Sequence, residues 1–230
     1  MPRALIEGSK LLIVTGSSNA ALPPGERKSF AFPESLLEYF RGSAAVLPMF
    51  QVSRDNPAYF LTSVAHRRLP IFRTDAVKSI VCKALDDARN SSGAMVFAYV
   101  LMPDHTHLLT DGRRSIADTL RFINGNTAKR VIDYLRENNF ESSLFKLRKQ
   151  VGERNHKHSV FEHHPDAFLV TSESKFIEKV NYIHLNPVRA GLVEKPEDYL
   201  YSSSRLWRGE PIEDEPFITD HKKIKWRPAA

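Results

Sequence analysis

The sequence predicts an α+β domain, an antiparallel sheet with helices packed on it. Three observations carry that reading. Tyr59–Val64, Ala94–Met102 and Thr106–Thr110 are short runs of aromatic, β-branched and apolar residues, as strands are. Asp75–Arg89 and the segment after Ser115 place apolar residues at the spacing of amphipathic helices. The resulting order is strand, helix, strand, strand, helix, short strand, helix, which suits a sheet covered by helices.

Taken in order, residues 1–55 read as an N-terminal extension of unclear role. Leu11–Val14 is apolar enough for a short strand, and a short helix is expected from Pro33, ahead of Gly42. The main domain spans 56–206. Its first strand is Tyr59–Val64. Asp75–Arg89 follows, with apolar residues at 77, 80, 81, 84, 85 and 88, and Asn90-Ser-Ser-Gly93 ends it. Ala94–Met102 is apolar throughout and is expected to be a central strand. Pro103-Asp104 is a turn or bulge, and Thr106–Thr110 is a third strand closed by Asp111-Gly112. Ser115 caps a long helix whose stripe runs through Ile116, Leu120, Ile123, Val131 and Leu135. Residues 140–160 are polar and basic and read as loop. Phe168-Leu-Val forms a short strand. Ser172 caps a last helix, expected to stop near Asn186 because Pro187 follows. Residues 207–230 swing from acidic (Glu210–Glu215) to basic (His221–Arg227) and read as a charged tail.

The composition excludes several classes. In 230 residues, 42% are hydrophobic and 26% charged, enough for a true core and too ordered a mixture for wholesale disorder. Cys82 is the only cysteine, so neither an internal disulfide nor a cysteine-built zinc site is expected. No apolar run approaches the roughly 18 residues of a membrane span, and Leu11–Val14 is too short for a signal-peptide core. The expectation is a cytoplasmic protein with no membrane partner. The net charge of +6 is a moderate pointer to a polyanion.

Two clusters carry chemistry. His105 and His107 stand two apart, so on a strand both imidazoles point to one face and make half of a divalent-metal site. The competing reading is two half-buried histidines that merely pack. His156-Lys-His158 has the same spacing without a strand, His163-His164 would face opposite ways, and His184 falls where packing or solvent is its natural role. On the last helix, Phe176, Val180 and Ile183 form the core stripe. Tyr182 and Asn186 lie together about 100° from it, on a face shared with Lys175 and Lys179. The plain reading is a boundary tyrosine beside surface lysines. Combined with the histidines, the face suggests another use. Two imidazoles and an amide oxygen could hold one Mg²⁺ or Mn²⁺ and polarise a phosphodiester, which a tyrosine hydroxyl then attacks.

The residues also match a known pattern. Tyr99-Val-Leu-Met-Pro-Asp-His-Thr-His-Leu-Leu109 resembles the signature strand of the single-tyrosine HUH transposases. Val180-Asn-Tyr-Ile-His-Leu-Asn-Pro-Val-Arg-Ala-Gly-Leu-Val193 resembles the catalytic helix of their REP-associated tyrosine transposase branch. Thr62–Phe72 and Glu197–Ser203 agree with the same branch, so the resemblance spans about residues 57–205 in order. It implies a ferredoxin-like HUH nuclease fold, His105 and His107 as metal ligands, Tyr182 as nucleophile and Asn186 in the third-ligand position. It also implies single-stranded DNA cleavage near hairpins through a 5′-phosphotyrosine, leaving a free 3′-OH, with rejoining that needs no ATP. The chain departs from the pattern at Thr106, where the family usually has a bulky apolar residue, and Asn186 is shorter than the Gln of other branches.

Candidate phosphate contacts are Arg67, Arg68, Arg113, Arg114, Lys129, Arg130, Lys146, Arg148 and Lys149, with Lys175 and Lys179 on the catalytic helix. Lys222, Lys223, Lys225 and Arg227 add a basic end beside Trp226. Each also reads as an ordinary solvated charge. Two further readings stay open: a domesticated, non-catalytic binder of structured single-stranded DNA, and an HUH replication initiator or relaxase. Tyr134 is the alternative nucleophile. The partner expected is single-stranded or hairpin DNA, in or near the nucleoid, with monomer and homodimer equally open.

Overall fold

The aromatic and β-branched run after Pro57 forms strand β1 (Ala58–Val64) in the computed structural model, which describes residues 49–148, 158–162 and 165–227. The expected strand at Leu11–Val14, the helix from Pro33, Lys149, His156 and His163-His164 lie outside the described residues. Helix α1 (Asp75–Ser92) starts where the Thr74 hydroxyl accepts from the Val77 amide and ends at Gly93, whose φ of 69° suits a glycine cap. Strands β2 (Val96–Leu101) and β3 (His105–Asp111) pair antiparallel across the Pro103-Asp104 turn. Helix α2 (Ile116–Glu137) is capped by Ser115, whose hydroxyl accepts from the Asp118 amide and donates to its carboxylate. A short helix α3 (Glu141–Lys146), strand β4 (Asp166–Val170), helix α4 (Glu173–Arg189) and a final short helix α5 (Ser204–Arg208) complete the chain.

The sheet order is β2-β3-β1-β4, and every pair is antiparallel. With α1 between β1 and β2 and α2 between β3 and β4, this is the ferredoxin-like β-α-β-β-α-β arrangement. Side chains alternate across the sheet. Leu61, Ser63, Thr106 and Leu108 face α1 and α2, and the Ser63 hydroxyl donates to Asn124 on α2 at 3.0 Å. Phe60, Thr62 and His107 face the other way, toward α4, whose stripe of Phe176, Val180 and Ile183 is fully buried. Among the described residues no helix is long and apolar enough to cross a membrane.

Four local expectations need correction. Residues 140–160 are not all loop: α3 forms there because Leu144 and Leu147 reach the core. Helix α4 does not stop before Pro187 but runs to Arg189. A helical proline costs a hydrogen bond and crowds the preceding turn. Here Pro187 is buried, and the chain beyond it still bonds back, Ala190 N–H to the Asn186 carbonyl and Leu192 N–H to the Pro187 carbonyl. Strand β2 is apolar throughout yet stands at an edge, because the C-terminal chain covers it.

That cover is the fourth correction, since residues 207–227 are no free tail. Leu101 N–H donates to the Tyr201 carbonyl, Ser203 N–H to the Tyr99 carbonyl and Asp220 N–H to the Val96 carbonyl. Trp207 Nε1 donates to the Phe97 carbonyl at 2.8 Å, and Val96 N–H donates to the Asp220 carboxylate at 3.0 Å. Phe217 and Ile224 are buried, and Ile224 bridges to Phe50, which carries the other side of the contact into the end of the 1–55 segment. Scattered single apolar residues among charges conceal this packing from a periodicity reading. The Asp220 carboxylate is buried and also receives Arg89 at 3.3 Å and Lys223 at 2.8 Å. Removing it leaves the Val96 edge amide without its acceptor and takes from Arg89 one of its two carboxylates, Asp86 at 2.8 Å being the other. Asp220→Ala is therefore expected to cost about 3 kcal/mol of stability, measured by urea denaturation.

Candidate active site

The β1–β3 register sets the site. Thr62 stands opposite His107, and Val64 opposite His105. The two imidazoles share a face, as their spacing predicts, with ring centroids 4.8 Å apart. The Thr62 hydroxyl meets His107 Nδ1 at 2.9 Å, and the Asp104 carboxylate meets His105 Nδ1 at 2.6 Å. Asp104 also takes Arg68 at 3.3 Å. The hydrogen bond from His105, helped by the Arg68 guanidinium, holds the Asp104 carboxyl below the usual carboxylate range. Burial, with the neighbouring His105 and the Lys179 ammonium, pushes the His107 imidazole down to about 3, so it is neutral at physiological pH.

Each histidine thus spends Nδ1 on a protein oxygen and keeps Nε2 for something else. That is how metal-ligating histidines are held, the outer hydrogen bond fixing ring and tautomer. His107 Nε2 is buried with no hydrogen-bond partner, an arrangement that costs about 1–3 kcal/mol unless a ligand satisfies it. His66 Nε2 is likewise buried, and neither nitrogen has a partner among the described residues. Of these two, only His107 has a second imidazole in ring contact among the described residues. No group of three His, Cys, Asp or Glu side chains among the described residues is placed to hold a metal. Among the described residues, a third protein donor would be an amide, hydroxyl or carbonyl. Asn186, half-buried and one helical turn beyond Tyr182, is the residue the sequence assigns.

Helix α4 brings Tyr182 to this cluster. Its ring lies edge-on to His107 at 5.2 Å and to Phe60 at 5.7 Å, and 38% of the residue stays exposed. Phe60 stacks on His107 at 5.3 Å. Two cations flank the tyrosine: Lys179 Nζ lies 5.9 Å from its ring and the Arg189 guanidinium 5.3 Å. The structure therefore brings together His105, His107, Tyr182 and Lys179. Tyr134, the other nucleophile considered, is on α2, which packs on the opposite face of the sheet. His184 is a packing residue: burial pushes its imidazole down to about 3, and Nε2 meets the Ser203 hydroxyl at 2.9 Å.

The remaining cations are dispersed. Arg67 and Arg68 follow β1 directly, beside the histidine end of the sheet. Both have positive φ, at 55° and 51°, a strained geometry for residues with side chains, and the Glu162 carboxylate accepts from the Arg67 amide. Arg113 and Arg114 lie past the far end of β3, about 20 Å along the strand from His105. Arg113 is tied to Asp111 and to the Gly93 carbonyl, and Arg114 to the Ser92 carbonyl. Lys129 pairs with Asp133 and Arg130 with Asp87, on the helices of the opposite face. Lys175 pairs with Glu178. Lys223 binds Asp220, and the Arg227 amide donates to Glu173 at the start of α4, about 13 Å along the helix from Tyr182. Lys222 and Lys225 are exposed in the same C-terminal segment, while Lys146 ends α3.

Sequence reasoning missed Thr62, Asp104, Phe60 and Arg189 at the site. Phe60 and Thr62 were accessible through alternation, had the register been known. The sequence marks Asp104 only as a turn residue, beside Pro103. Were this pair to hold Mn²⁺, Thr62→Val and Asp104→Asn would each weaken its binding about 10- to 100-fold, measured by titration calorimetry. Losses under threefold in both variants would show that these contacts do not orient metal ligands.

A scan against family models finds no match for this chain, and neither does a search of curated proteins. The solved structures similar to it include two transposases. One is the REP-associated tyrosine transposase bound to a REP hairpin, at 14% identity and a TM-score of 0.49, covering 74% of this chain and 89% of that one. The other is a provisionally named transposase of Deinococcus radiodurans R1, at 20% identity and a TM-score of 0.39, covering 55% of this chain and 87% of that one.

Proposed function

We propose that the chain is a transposase-like, metal-dependent endonuclease and strand transferase that acts on single-stranded DNA near hairpins. One observation carries the reading: the ring of Tyr182, partly open to solvent, rests against His107, which pairs with His105, and the Nδ1 atoms of both histidines are engaged by protein oxygens. A packing histidine makes such a bond too, as His184 does with Ser203, but here Nε2 of His107 is buried without a partner among the described residues, and a mere binder needs no tyrosine beside it. The motif resemblance around His105–His107 and Tyr182–Asn186 supports the same reading.

His105 Nε2, His107 Nε2 and the Asn186 side chain would hold Mg²⁺ or Mn²⁺, which supplies Lewis-acid polarisation of the scissile phosphate. The protein's own groups do the rest. The Tyr182 hydroxyl oxygen attacks phosphorus, the Tyr O–P bond forms and the P–O3′ bond breaks. The phenol proton leaves to solvent, and the departing 3′ oxygen takes one up to become a free 3′-OH. Lys179 and Arg189, beside the tyrosine ring, favour its developing negative charge. Reversal of the step by another 3′-OH rejoins strands without external energy, because the phosphotyrosine keeps the bond energy.

Labelled single-stranded hairpin oligonucleotides with Mn²⁺ test this. A covalent protein–DNA adduct is expected from the wild type, absent with EDTA and reduced at least 1,000-fold in Tyr182→Phe, with hairpin affinity within about threefold of wild type. An adduct that persists in Tyr182→Phe moves the nucleophile elsewhere. Tight hairpin binding by both proteins with no adduct makes the chain a non-catalytic binder.

A further inference from the structure

The catalytic face continues past the histidines to the edge of the sheet, and its last residue there is aromatic and open. In β4 the first four residues are exposed, including Phe168 at 49%. Phe168 stands opposite Phe60 in the β1–β4 register, so it shares the face of Thr62 and His107. Lys179 bridges the gap. Its ammonium lies 4.8 Å from the Phe60 ring, 4.8 Å from the Phe168 ring and 5.9 Å from the Tyr182 ring. It forms no salt bridge with any carboxylate among the described residues, whereas Lys175, one turn earlier, does.

A single exposed phenyl ring is ordinary, and Phe145 is more exposed still; what sets Phe168 apart is its place on the histidine face beside the Lys179 ammonium. A flat ring beside an unpaired ammonium matches one chemical unit, a nucleobase with its linking phosphate. We infer that Phe168 is a stacking platform for a base of the single strand next to the cleaved phosphate, and that Lys179 takes the phosphate between that base and Tyr182. The inference rests on the proposed single-stranded DNA activity and adds a subsite to it. Stacking accepts any base, so the subsite fixes the path of the strand rather than its sequence. Among the described residues the β4 edge also lacks the cover that β2 has, and a lid over Phe168 would block the strand.

The test measures binding in EDTA, where no cleavage intervenes, with three probes: a DNA hairpin with a dT flank, the same hairpin with abasic sites in the flank, and the blunt hairpin. Phe168→Ala is expected to weaken the dT-flanked probe about tenfold and the other two by less than twofold. Phe168→Tyr restores the affinity, which excludes a folding defect, and the salt dependence of Phe168→Ala stays that of wild type because stacking releases no counterions. Equal affinity of wild type and Phe168→Ala for the dT flank overturns the subsite. If Tyr182 still forms its adduct in Mn²⁺, the enzymatic reading survives that result. Equal weakening of all three probes overturns it too, since the loss is then not stacking. A concentration-dependent dimer lost in Phe168→Ala, with DNA binding unchanged, reassigns the patch to a second copy of the chain. Wild type that neither binds the probes nor forms the adduct removes both readings together.

Discussion

The antiparallel pairing of β1 with β3 is the constraint on which everything else hangs. It sets Thr62 opposite His107 and Val64 opposite His105, and a slip of one residue would turn both imidazoles into the α1 and α2 layer. Its strength comes from position. β1 and β3 are the two central strands, with β2 and β4 at the edges. The register is pinned on both faces, by the Thr62–His107 contact on one and by Ser63 with Asn124 on the other. A metal ligand placed there inherits the rigidity of the core, and catalytic geometry needs that rigidity. Tyr182 arrives separately, on α4, which is held by the burial of Phe176, Val180 and Ile183.

The two sheet edges show a division of labour. At β2 the C-terminal chain supplies backbone, a buried carboxylate and the Trp207 indole to unpaired edge groups. At β4 nothing comparable covers the strand among the described residues, and Phe168 and Leu169 are about half exposed. Bare edges invite self-association, so proteins usually cover them. Covering one and leaving the other next to the site is consistent with a surface kept open for an extended ligand.

Much of this was legible in the sequence. Long periodic segments gave both major helices of the α1–α2 layer, and the Ser115 and Ser172 caps fall where the residues indicate. The i, i+2 spacing of His105 and His107 and the i, i+4 spacing of Tyr182 and Asn186 each define a face without any structure. Their meeting did not follow from spacing, since only the three-dimensional fold lays α4 over the histidine face. Thr62 and Phe60 became site residues through register, which is non-local. Asp104 was hidden by its double use as turn residue and histidine partner. Pro187 misled because tertiary burial overrode a local rule, and residues 207–227 misled because charge on the outside conceals scattered buried apolar contacts. Of the cations that the sequence marks, the structure ties Arg113, Arg114 and Arg130 to internal contacts.

The central claim is that two histidines, oriented through Nδ1, present their Nε2 atoms to one catalytic cation beside Tyr182. Crystals soaked in Mn²⁺ and measured at the manganese edge test it most directly. The account predicts one dominant anomalous peak, bonded to Nε2 of both His105 and His107, that disappears in His107→Ala crystals of the same form. A peak elsewhere, ligation through Nδ1, or an empty histidine pair at saturating Mn²⁺ would contradict it.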